Sequence, residues 1–498
     1  MLSLGVDLGL GLPVEHMLRS CAIAVALAER SPGEPVDTEL VSLTALLAWV
    51  GCHTDSYEQA YWFGDDIVRR AALHTIDRTP RNQRRVIMGL VGSGLPPAQR
   101  ARRSAEYMTV GRKSLIGMRA SHCRLAGELA LRLGLREDIR PALLQMFERW
   151  DGQGDPGAAS GDEIALPVRI VHLSDPAEVY HREGGVEAAV EMAKARRGTQ
   201  FDPEIVDLFC ANAADVLAPL GSAPSWEVLT AHRALNTPLS GERVTVALEA
   251  IADFIDLKSP YTLGHSRAVA DLAAEAASVA GLPAEEVEVV RRAGLLHDLG
   301  RLGISNGIWD KRDPLSASEQ ERIRLQPYLT ERMLSRSPKL AVLARLASSH
   351  QERLDGSGYP RGLRGDALSS GARILAAADV YQAMTEPRPH RDARSGAEAC
   401  AQLRAEVRAG RIDASAADAV LQAAGHKVTR RPERAAGLTA REIEVLRLLA
   451  RGLQTKQIAQ ELVITPKTVD HHISHIYTKI GASNRVGASL FATEHGLV

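Results

Sequence analysis

The chain has 498 residues, too many for one compact core, and a prior of about 150 residues per domain suggests two or three domains. Its formal net charge is −1 and its aromatic content is 4%, so overall composition indicates no particular class of partner. Five cysteines without CxxC spacing exclude a zinc ribbon and a disulfide framework, and no apolar run approaches the roughly 18 residues of a membrane span. We therefore expect a cytoplasmic protein without a membrane anchor.

An internal repeat divides the first 427 residues. Residues 148–175 align without a gap on residues 352–379 at an offset of 204, with 11 of 28 positions identical. At an offset of 249, His16 aligns with His265 and LLAWVG (46–51) with LLHDLG (295–300). Because the apolar periodicity is helical throughout, we predict an all-α fold with two tandem copies of one helical domain, 1–235 and 236–427. The first copy carries 45 extra residues, which we place within 54–118 as a surface insertion.

Residue types that bind metals are concentrated in the second copy. His297 and Asp298 lie inside the apolar run AGLLHDLGRLGI, where polar side chains need partners. Imidazole and carboxylate together suit Mn, Fe, Mg or Zn, and a carboxylate can bridge two ions. Such a centre would support hydrolysis of a phosphate ester.

Four stretches of this copy, YTLGHS, LLHDLGRLGI, HQERLDGSGYPRGL and ARILAAADVYQAMTEPRPHR, follow one another in the chain. In this order they resemble the HD-GYP branch of the HD-domain phosphohydrolases, over about residues 243–425. The resemblance implies a helical domain that hydrolyses cyclic di-GMP or a related nucleotide at a two- or three-metal centre. It assigns the first-metal ligands to His265, His297, Asp298 and Asp379, with Asp298 bridging.

The chain departs from this pattern at the second metal, where the family has histidines at positions 326, 350 and 351. Here the residues are Gln326, His350 and Gln351. An amide replaces imidazole poorly, so we expect one divalent ion. Arg301 follows the HDxG motif in place of the usual lysine, and Asp313 replaces a glycine. The predicted metal ligands are His265, His297, Asp298, His350 and Asp379. The predicted catalytic residues are Asp298 and Arg301. The predicted substrate contacts are Arg301, Gly356, Gly358, Tyr359 and Arg373.

The first copy lacks the residues for the same centre. Trp49 stands at the position of Asp298, and Phe147 at that of Gln351. Of the family pattern, this copy retains His16, His122 and Asp175, and His122 aligns with Gln326. We expect a structural or partner-binding role for this copy.

The last part of the chain has a different pattern. After a basic linker at 428–436, residues 437–498 predict four short helices, with a capping box at Thr439 and Glu442, a cap at Thr455, and a cap at Thr465 before Pro466. Residues 427–498 hold 11 Lys and Arg against 6 Asp and Glu, a net charge of +5. The third helix presents an apolar arc beside a polar stripe, as a helix that enters the major groove does.

LTAREIEVL, IAQEL, TPKTVDHHI and YTKIGASNR strongly resemble the LuxR-type helix-turn-helix. The resemblance implies that the third helix reads double-stranded DNA and that residues 484–495 form a dimerisation helix, so we expect a homodimer. The predicted DNA contacts are Lys456, Thr465, Lys467, Thr468, Val469, His472 and Lys479.

Three functions stay open at this point. The first is a transcription regulator whose second copy binds a metal and a phosphorylated nucleotide, such as a cyclic dinucleotide. The second is an active metal-dependent phosphodiesterase with a DNA-binding tail. The third is a scaffold whose helical domains only dimerise.

Overall fold

The computed structural model describes residues 2–74, 76–77, 79–221, 239–428, 438–495 and 497. These residues form 24 helices and no strand, so the all-α prediction is confirmed. They divide into two compact units, 1–426 and 427–498. The predicted boundary at 235/236 and most of the predicted linker 428–436 lie outside the described residues.

The first copy contains eleven of the described helices. They are α1 (Leu2–Leu10), α2 (His16–Ala28), α3 (Thr38–Leu47), α4 (Ser56–Phe63), α5 (Asp66–His74), α6 (Pro80–Leu90), α7 (Pro97–Glu106), α8 (Arg112–Arg132), α9 (Ile139–Leu144), α10 (Leu166–Ala195) and α11 (Pro203–Leu217). Helix α10 is broken at Gly185, whose φ of 77° interrupts the helical backbone. The core of this copy lies where α2 packs against α3 and α10.

The second copy contains nine described helices. They are α12 (Glu242–Asp256), α13 (His265–Val279), α14 (Ala284–Leu296), α15 (Asn306–Trp309), α16 (Ala317–Leu334), α17 (Pro338–Ala347), α18 (Ser370–Thr385), α19 (Gly396–Arg408) and α20 (Ala414–Ala423). Helix α13 lies at the centre and packs against α14, α18 and α20. Its buried side includes Val269, Ala270 and Ala273, and these small residues allow its neighbours to approach closely.

The structure repeats along the chain as the sequence does. Helices α2 and α13 both begin at a histidine, each preceded by a residue with left-handed φ, Glu15 at 80° and Gly264 at 78°. Helices α10 and α18 begin 204 residues apart, at the sequence offset. The repeat is therefore a duplicated fold as well as a duplicated sequence.

The two copies pack together within residues 1–426. Helix α1 of the first copy lies on the 3₁₀ turn Leu299–Gly303 of the second. Asp66 of α5 accepts hydrogen bonds from the Ser305 hydroxyl and the Asn306 backbone N–H, both at 2.8 Å. Polar groups of the two copies are thus buried against each other.

The extra segment of the first copy is only partly a surface insertion. Helix α7 has no buried residue, as a surface insertion requires. Helix α5 does not fit this prediction, because Asp66, Arg69, Arg70 and His74 are all buried on it. Its charged side chains find polar partners in the second copy or line a cleft of the first, which the local sequence does not reveal.

The described part of the C-terminal unit contains four helices with their own core. They are α21 (Ala440–Ala450), α22 (Thr455–Glu461), α23 (Pro466–Ile480) and α24 (Arg485–Glu494). The capping box at Thr439 and Glu442 and the cap at Thr465 are present, whereas Gln454, not Thr455, precedes the first turn of α22. In the described part of the chain, no helix is long and apolar enough to cross a membrane.

Candidate metal centre and DNA-facing surface

Two histidines and two carboxylates of the second copy converge at the start of α13. His265 Nε2 lies 3.4 Å from Asp379 Oδ1 and 3.9 Å from Asp298 Oδ2. His297 Nε2 lies 3.7 Å from an oxygen of each carboxylate. Donor atoms bound to one ion at about 2.1 Å lie roughly 3 to 3.5 Å apart, so this spacing is close to that of a ligand set. His265, His297 and Asp298 form a group able to hold a metal ion.

The histidine rings are oriented by backbone carbonyls. His297 Nδ1 donates to Gly294 O at 2.6 Å, and His350 Nδ1 donates to Ala347 O at 2.8 Å. This arrangement fixes the proton on Nδ1 and leaves the Nε2 lone pair to a ligand. Both Nε2 atoms are buried without a hydrogen-bond partner in the structure. Such unsatisfied buried atoms are expected where a cation binds.

Glu386 has a similar orienting role that the sequence did not predict. Its Oε2 lies 2.8 Å from Nδ1 of His265, on the side of the ring away from Asp379. A carboxylate behind a metal-binding imidazole raises its basicity and holds its orientation. Glu386 lies within the motif stretch ARILAAADVYQAMTEPRPHR, which offered the signal.

Electrostatics in the cluster favours ionised carboxylates. Burial alone would raise the pKa of Asp298, but Arg301, His297 and His265 hold it well below its usual range. Burial would likewise raise the pKa of Asp379, and His265 and His297 hold it low. Burial, with His297 beside it, lowers the pKa of His350 to about 4, so its ring is neutral at pH 7. Although burial opposes it, Asp379 and Glu386 raise the pKa of His265 to about 10, so an ion that binds this ring must displace a proton from it.

Gln326 and Gln351 both point their amide nitrogens at the carboxylates. Gln326 Nε2 donates to Asp298 Oδ1 at 3.1 Å and to His297 O at 2.8 Å. Gln351 Nε2 donates to Asp379 Oδ2 at 3.0 Å, and its Oε1 accepts from a tyrosine hydroxyl. Because Gln326 has two acceptors as neighbours, its N–H groups must face them. Each amide therefore gives a carboxylate a hydrogen bond on the side where the family pattern has a second-metal ligand.

Arg301 also acts on Asp298. Its Nη1 lies 3.0 Å from Asp298 Oδ2, and its guanidinium lies 4.4 Å from the centre of the Trp309 ring. Arg301 and Trp309 line a cleft of about 610 Å³, which is also lined by Lys311, Arg312, Arg388 and Arg391. The cleft beside the cluster is thus basic, and the sequence reasoning missed the four further cationic side chains.

The other predicted substrate contacts lie in the loop at 352–365 or behind it. Gly356 has a φ of 81°, and a Cβ at Gly358 would overlap the backbone of residues 352 and 353, so both positions require glycine. The Tyr359 hydroxyl donates to Gln351 Oε1 at 3.3 Å, which connects the loop to the cluster. Arg373 binds Asp413 at 3.2 Å and nearby backbone carbonyls. A substrate role for these residues remains a prediction.

In the first copy, protein groups occupy the equivalent position. The Trp49 indole N–H donates to Asp175 Oδ1 at 2.9 Å, and His16 Nε2 lies 3.0 Å from the same oxygen. His16 Nδ1 lies 2.6 Å from Glu178, and although burial opposes it, Asp175 and Glu178 raise the pKa of His16 to about 10. The imidazolium and the indole thus neutralise and satisfy Asp175.

Two histidines of the first copy differ from the sequence expectation. His74 Nδ1 lies 3.6 Å from Asp175 Oδ2, and His16, His74 and Asp175 together form a group of possible metal ligands. His74 was missed because it lies in the extra segment and has no counterpart in the second copy. His122 is separate from this group and bonds Ala48 O at 2.9 Å.

In the C-terminal unit, α23 has one packed and one exposed face. Val469 and Ile476 are fully buried in the core of the unit. The prediction that Val469 contacts DNA is therefore wrong, because its side chain packs between helices. Lys467 and Lys456 are exposed, and Thr465 and Thr468 are exposed where Thr465 caps the helix.

The exposed face of α23 includes residues that were not predicted. His471 and His475 lie side by side with ring centres 4.1 Å apart, and Ser474 is exposed between them. His472 is only half-exposed. Lys479 is exposed but its ammonium binds Glu442 at 2.7 Å, so reaching DNA would require breaking this pair. The signal for His471 and Ser474 was their position one and two turns beyond Lys467 along the helix.

Comparison with known proteins agrees with both parts of this description. Residues 249–416 match the HD domain family, and residues 436–492 match the luxR family of bacterial regulatory proteins. A 3'3'-cGAMP-specific phosphodiesterase 3 of Vibrio cholerae is 30% identical over 400 residues, which cover 79% of this chain and 86% of that protein. A cyclic di-GMP phosphodiesterase response regulator of Xanthomonas campestris is 34% identical over 36% of this chain, and the match spans 48% of that relative.

A solved structure resembles most of the chain. The crystal structure of a cyclic GMP-AMP specific phosphodiesterase of V. cholerae superposes with a TM-score of 0.58 at 25% sequence identity. The superposition covers 86% of this chain and 96% of that one. The chain therefore belongs to the HD-GYP family of HD-domain proteins and carries a LuxR-type DNA-binding domain.

Proposed function

We propose that the chain is a transcription regulator whose second HD domain binds one divalent cation and a phosphorylated nucleotide, and that this occupancy controls DNA binding. The observation that carries the proposal is the pair of glutamine amides that donate to Asp298 and Asp379. An N–H donor satisfies the carboxylate lone pairs that a second ion would need. One ion with a ligand-binding cleft suits a sensor better than it suits a two-metal hydrolase.

His265, His297, Asp298 and Asp379 would hold the ion, with His350 contributing its unsatisfied Nε2. Such an ion supplies Lewis-acid attraction for a phosphate oxygen. Arg301 and the basic cleft beside it would neutralise the remaining phosphate charge. Arg301 also keeps Asp298 ionised, which makes it a positioning residue for the ion as well as a ligand contact. We leave the identity of the metal open among Mn, Fe, Mg and Zn.

For the C-terminal domain, we propose that residues 437–498 bind double-stranded DNA through the exposed face of α23. The net charge of +5 in residues 427–498 supports binding to phosphates by counterion release. Val486 and Leu490, one turn apart on α24, are 76% and 59% exposed, and such apolar side chains suit a homodimer contact. We divide the rest of the chain as 1–235, 236–427 and a linker at 428–436. A ligand can regulate DNA binding only if it binds one arrangement of the dimer better than another.

A second candidate function is hydrolysis of a cyclic dinucleotide. It is supported by the cGAMP-specific phosphodiesterase of V. cholerae, which matches 79% of this chain, and by the location of Arg301 between Asp298 and the basic cleft. In this case Asp298 and Arg301 would be catalytic residues. The glutamines would then lower the rate without abolishing turnover.

Turnover and ligand binding separate the two candidates. Purified full-length protein with Mn²⁺ or Fe²⁺ is incubated with 3'3'-cGAMP or cyclic di-GMP, with His297→Ala as the control. The regulator proposal predicts metal-dependent nucleotide binding in the wild type without product formation. Hydrolysis by the wild type that is abolished in His297→Ala would establish the phosphodiesterase function instead. A wild-type protein that binds neither metal nor nucleotide would favour the third function, a scaffold.

A further inference from the structure

The first copy contains a cleft at the position of the metal centre of the second. Two adjoining chambers, with cavity volumes of about 40 and 70 Å³, share Trp49, His74, Gln83, Arg119 and Phe147. Trp49 and Phe147 stand at the positions of Asp298 and Gln351, so this is the former ligand cleft of the duplicated domain. In this cleft Asp175 is bound by the Trp49 indole and the His16 ring, and the larger chamber lies beside them.

Arg69, on α5, is the unusual residue of this cleft. It lines the larger chamber and is only 6% exposed. Among the described residues no carboxylate lies within ion-pair distance of its guanidinium, which lies over the Phe63 ring at 4.9 Å, and its buried Nε has no hydrogen-bond partner. Burial, followed by the neighbouring Arg119 and Arg70, lowers the pKa of Arg69 to about 10, so it remains charged at pH 7. A buried charge without a counter-ion is costly and is retained where a ligand supplies the opposite charge.

The acidic groups nearby do not fill this role. Asp175 is already bound by Trp49 and His16, and Asp66 by Arg70. Burial raises the pKa of Asp55, which lines the same chamber, to about 7, so a large fraction of it is protonated at neutral pH.

The other cations of the cleft add to the positive charge around Arg69. Arg119 pairs with Asp155 at the edge and lies over the Phe147 ring at 5.5 Å. Arg149 and Arg196 line the smaller chamber, where Arg149 is paired with Asp77 and Asp151. The larger chamber therefore places the Arg69 guanidinium, which has no carboxylate partner among the described residues, in the same space as the Phe147 ring.

We propose that this cleft binds a phosphate-bearing ligand without a metal ion, with Arg69 as the counter-charge of the phosphate and Arg119 beside it. The guanidinium fork matches the oxygens of a phosphate group, and the exposed part of Phe147 provides a surface for an attached planar group. The first copy is then a second ligand site of the chain. It does not depend on the metal centre of the second copy.

Helix α5 connects this site to the second copy. Asp66, one turn before Arg69 and Arg70, binds Lys258 at 3.4 Å and the Ser305 hydroxyl at 2.8 Å. A ligand on Arg69 thus lies on a helix whose first turn contacts the segment following Arg301.

The test uses the full-length protein in EDTA, so that no metal at the second copy can hold phosphate. Inorganic pyrophosphate is titrated into the wild type, Arg69→Met and Arg30→Met, and binding is followed by isothermal titration calorimetry. Arg30→Met is the control, because Arg30 is an exposed arginine just beyond the end of α2. We expect saturable binding in the wild type and control, and at least tenfold weaker binding in Arg69→Met. The melting temperature of ligand-free Arg69→Met should equal or exceed that of the wild type, because an unpaired buried charge is removed. A parallel titration with 5'-GMP distinguishes a nucleotide, which should bind more tightly, from an inorganic phosphate ligand.

Two results would overturn the proposal: equal affinity in Arg69→Met and the wild type, or no saturable binding in the wild type. If Arg69→Met does not fold, a crystal structure of the wild type with pyrophosphate decides. Density for the ligand against Arg69 supports the site, and density only elsewhere refutes it.

Discussion

Replacing Asp66 by asparagine tests the buried charges that join the two copies. Asp66 Oδ2 lies 2.9 Å from Arg70 Nη1 and 3.4 Å from Lys258 Nζ, and all three side chains are buried. Burial alone would raise the pKa of Asp66, and Lys258 and Arg70 lower it to about 2. The carboxylate therefore contributes stability above about pH 4, which is lost as the pH falls toward 2. Asparagine keeps an acceptor oxygen for Ser305 and Asn306, removes the charge, and turns an N–H donor toward Arg70 and Lys258.

The magnitude follows from the distances. With an effective dielectric constant of roughly 20, the pair at 3.4 Å is worth about 5 kcal/mol, close to the ~3–5 kcal/mol lost when one partner of a buried pair is removed. A cooperative unit of 426 residues has an unfolding entropy of about 0.9 kcal/mol/K, so Asp66→Asn should lower its melting temperature by about 3–6 °C. Lys258→Met added to Asp66→Asn should recover part of this loss, since it removes the unpaired ammonium.

Differential scanning calorimetry at pH 7 provides the measurement. Asp271→Asn is the matched control, because Asp271 binds Arg291 at 3.1 Å with its side chain 64% exposed. An exposed pair contributes at most about 1 kcal/mol, so the control should shift the melting temperature by about 1 °C or less. Equal shifts for Asp66→Asn and Asp271→Asn would refute the buried network as a stabilising link between the copies.

The remaining predictions concern the metal site and the C-terminal domain. His297→Ala should abolish the rise in melting temperature that Mn²⁺ gives the wild type, as followed by calorimetry; an unchanged rise would place the ion elsewhere. Lys467→Ala should weaken DNA binding and reduce the slope of log K against log salt concentration by about 1, as measured by fluorescence anisotropy. Lys479→Ala should leave this slope nearly unchanged, because the Lys479 ammonium binds Glu442. Equal effects of the two substitutions would contradict this assignment. Val486→Asp should convert a dimer to a monomer in sedimentation, and a persistent dimer would exclude α24 as its contact.

The repeat made most of the fold and the cluster in the second copy predictable. His265 and Asp379 each have a counterpart in the first copy at a fixed offset, and the helices that carry them begin at the same offsets. The family pattern then selected His297 and Asp298 from the other polar residues. These features depend on local motifs, which a single sequence contains.

Features that depend on long-range packing were not predictable. His74 contacts Asp175, which lies 101 residues later in the chain. His74 belongs to the extra segment of the first copy, which has no counterpart in the second copy. Val469 was placed on the DNA side by the family pattern, although its helical periodicity put it in the packed arc with Ile476. The burial of Arg69 likewise depends on how α5 meets both copies, which local charge and periodicity do not encode.

The number of metal ions per chain tests the central claim most directly. The manganese content of full-length protein, loaded with Mn²⁺ and freed of unbound metal, is measured by inductively coupled plasma mass spectrometry. The double variant Gln326→His/Gln351→His is measured in the same way. We predict one ion per chain in the wild type and two in the double variant, because imidazoles replace amides that bind Asp298 and Asp379. Two ions in the wild type, or none, would contradict the single-ion centre.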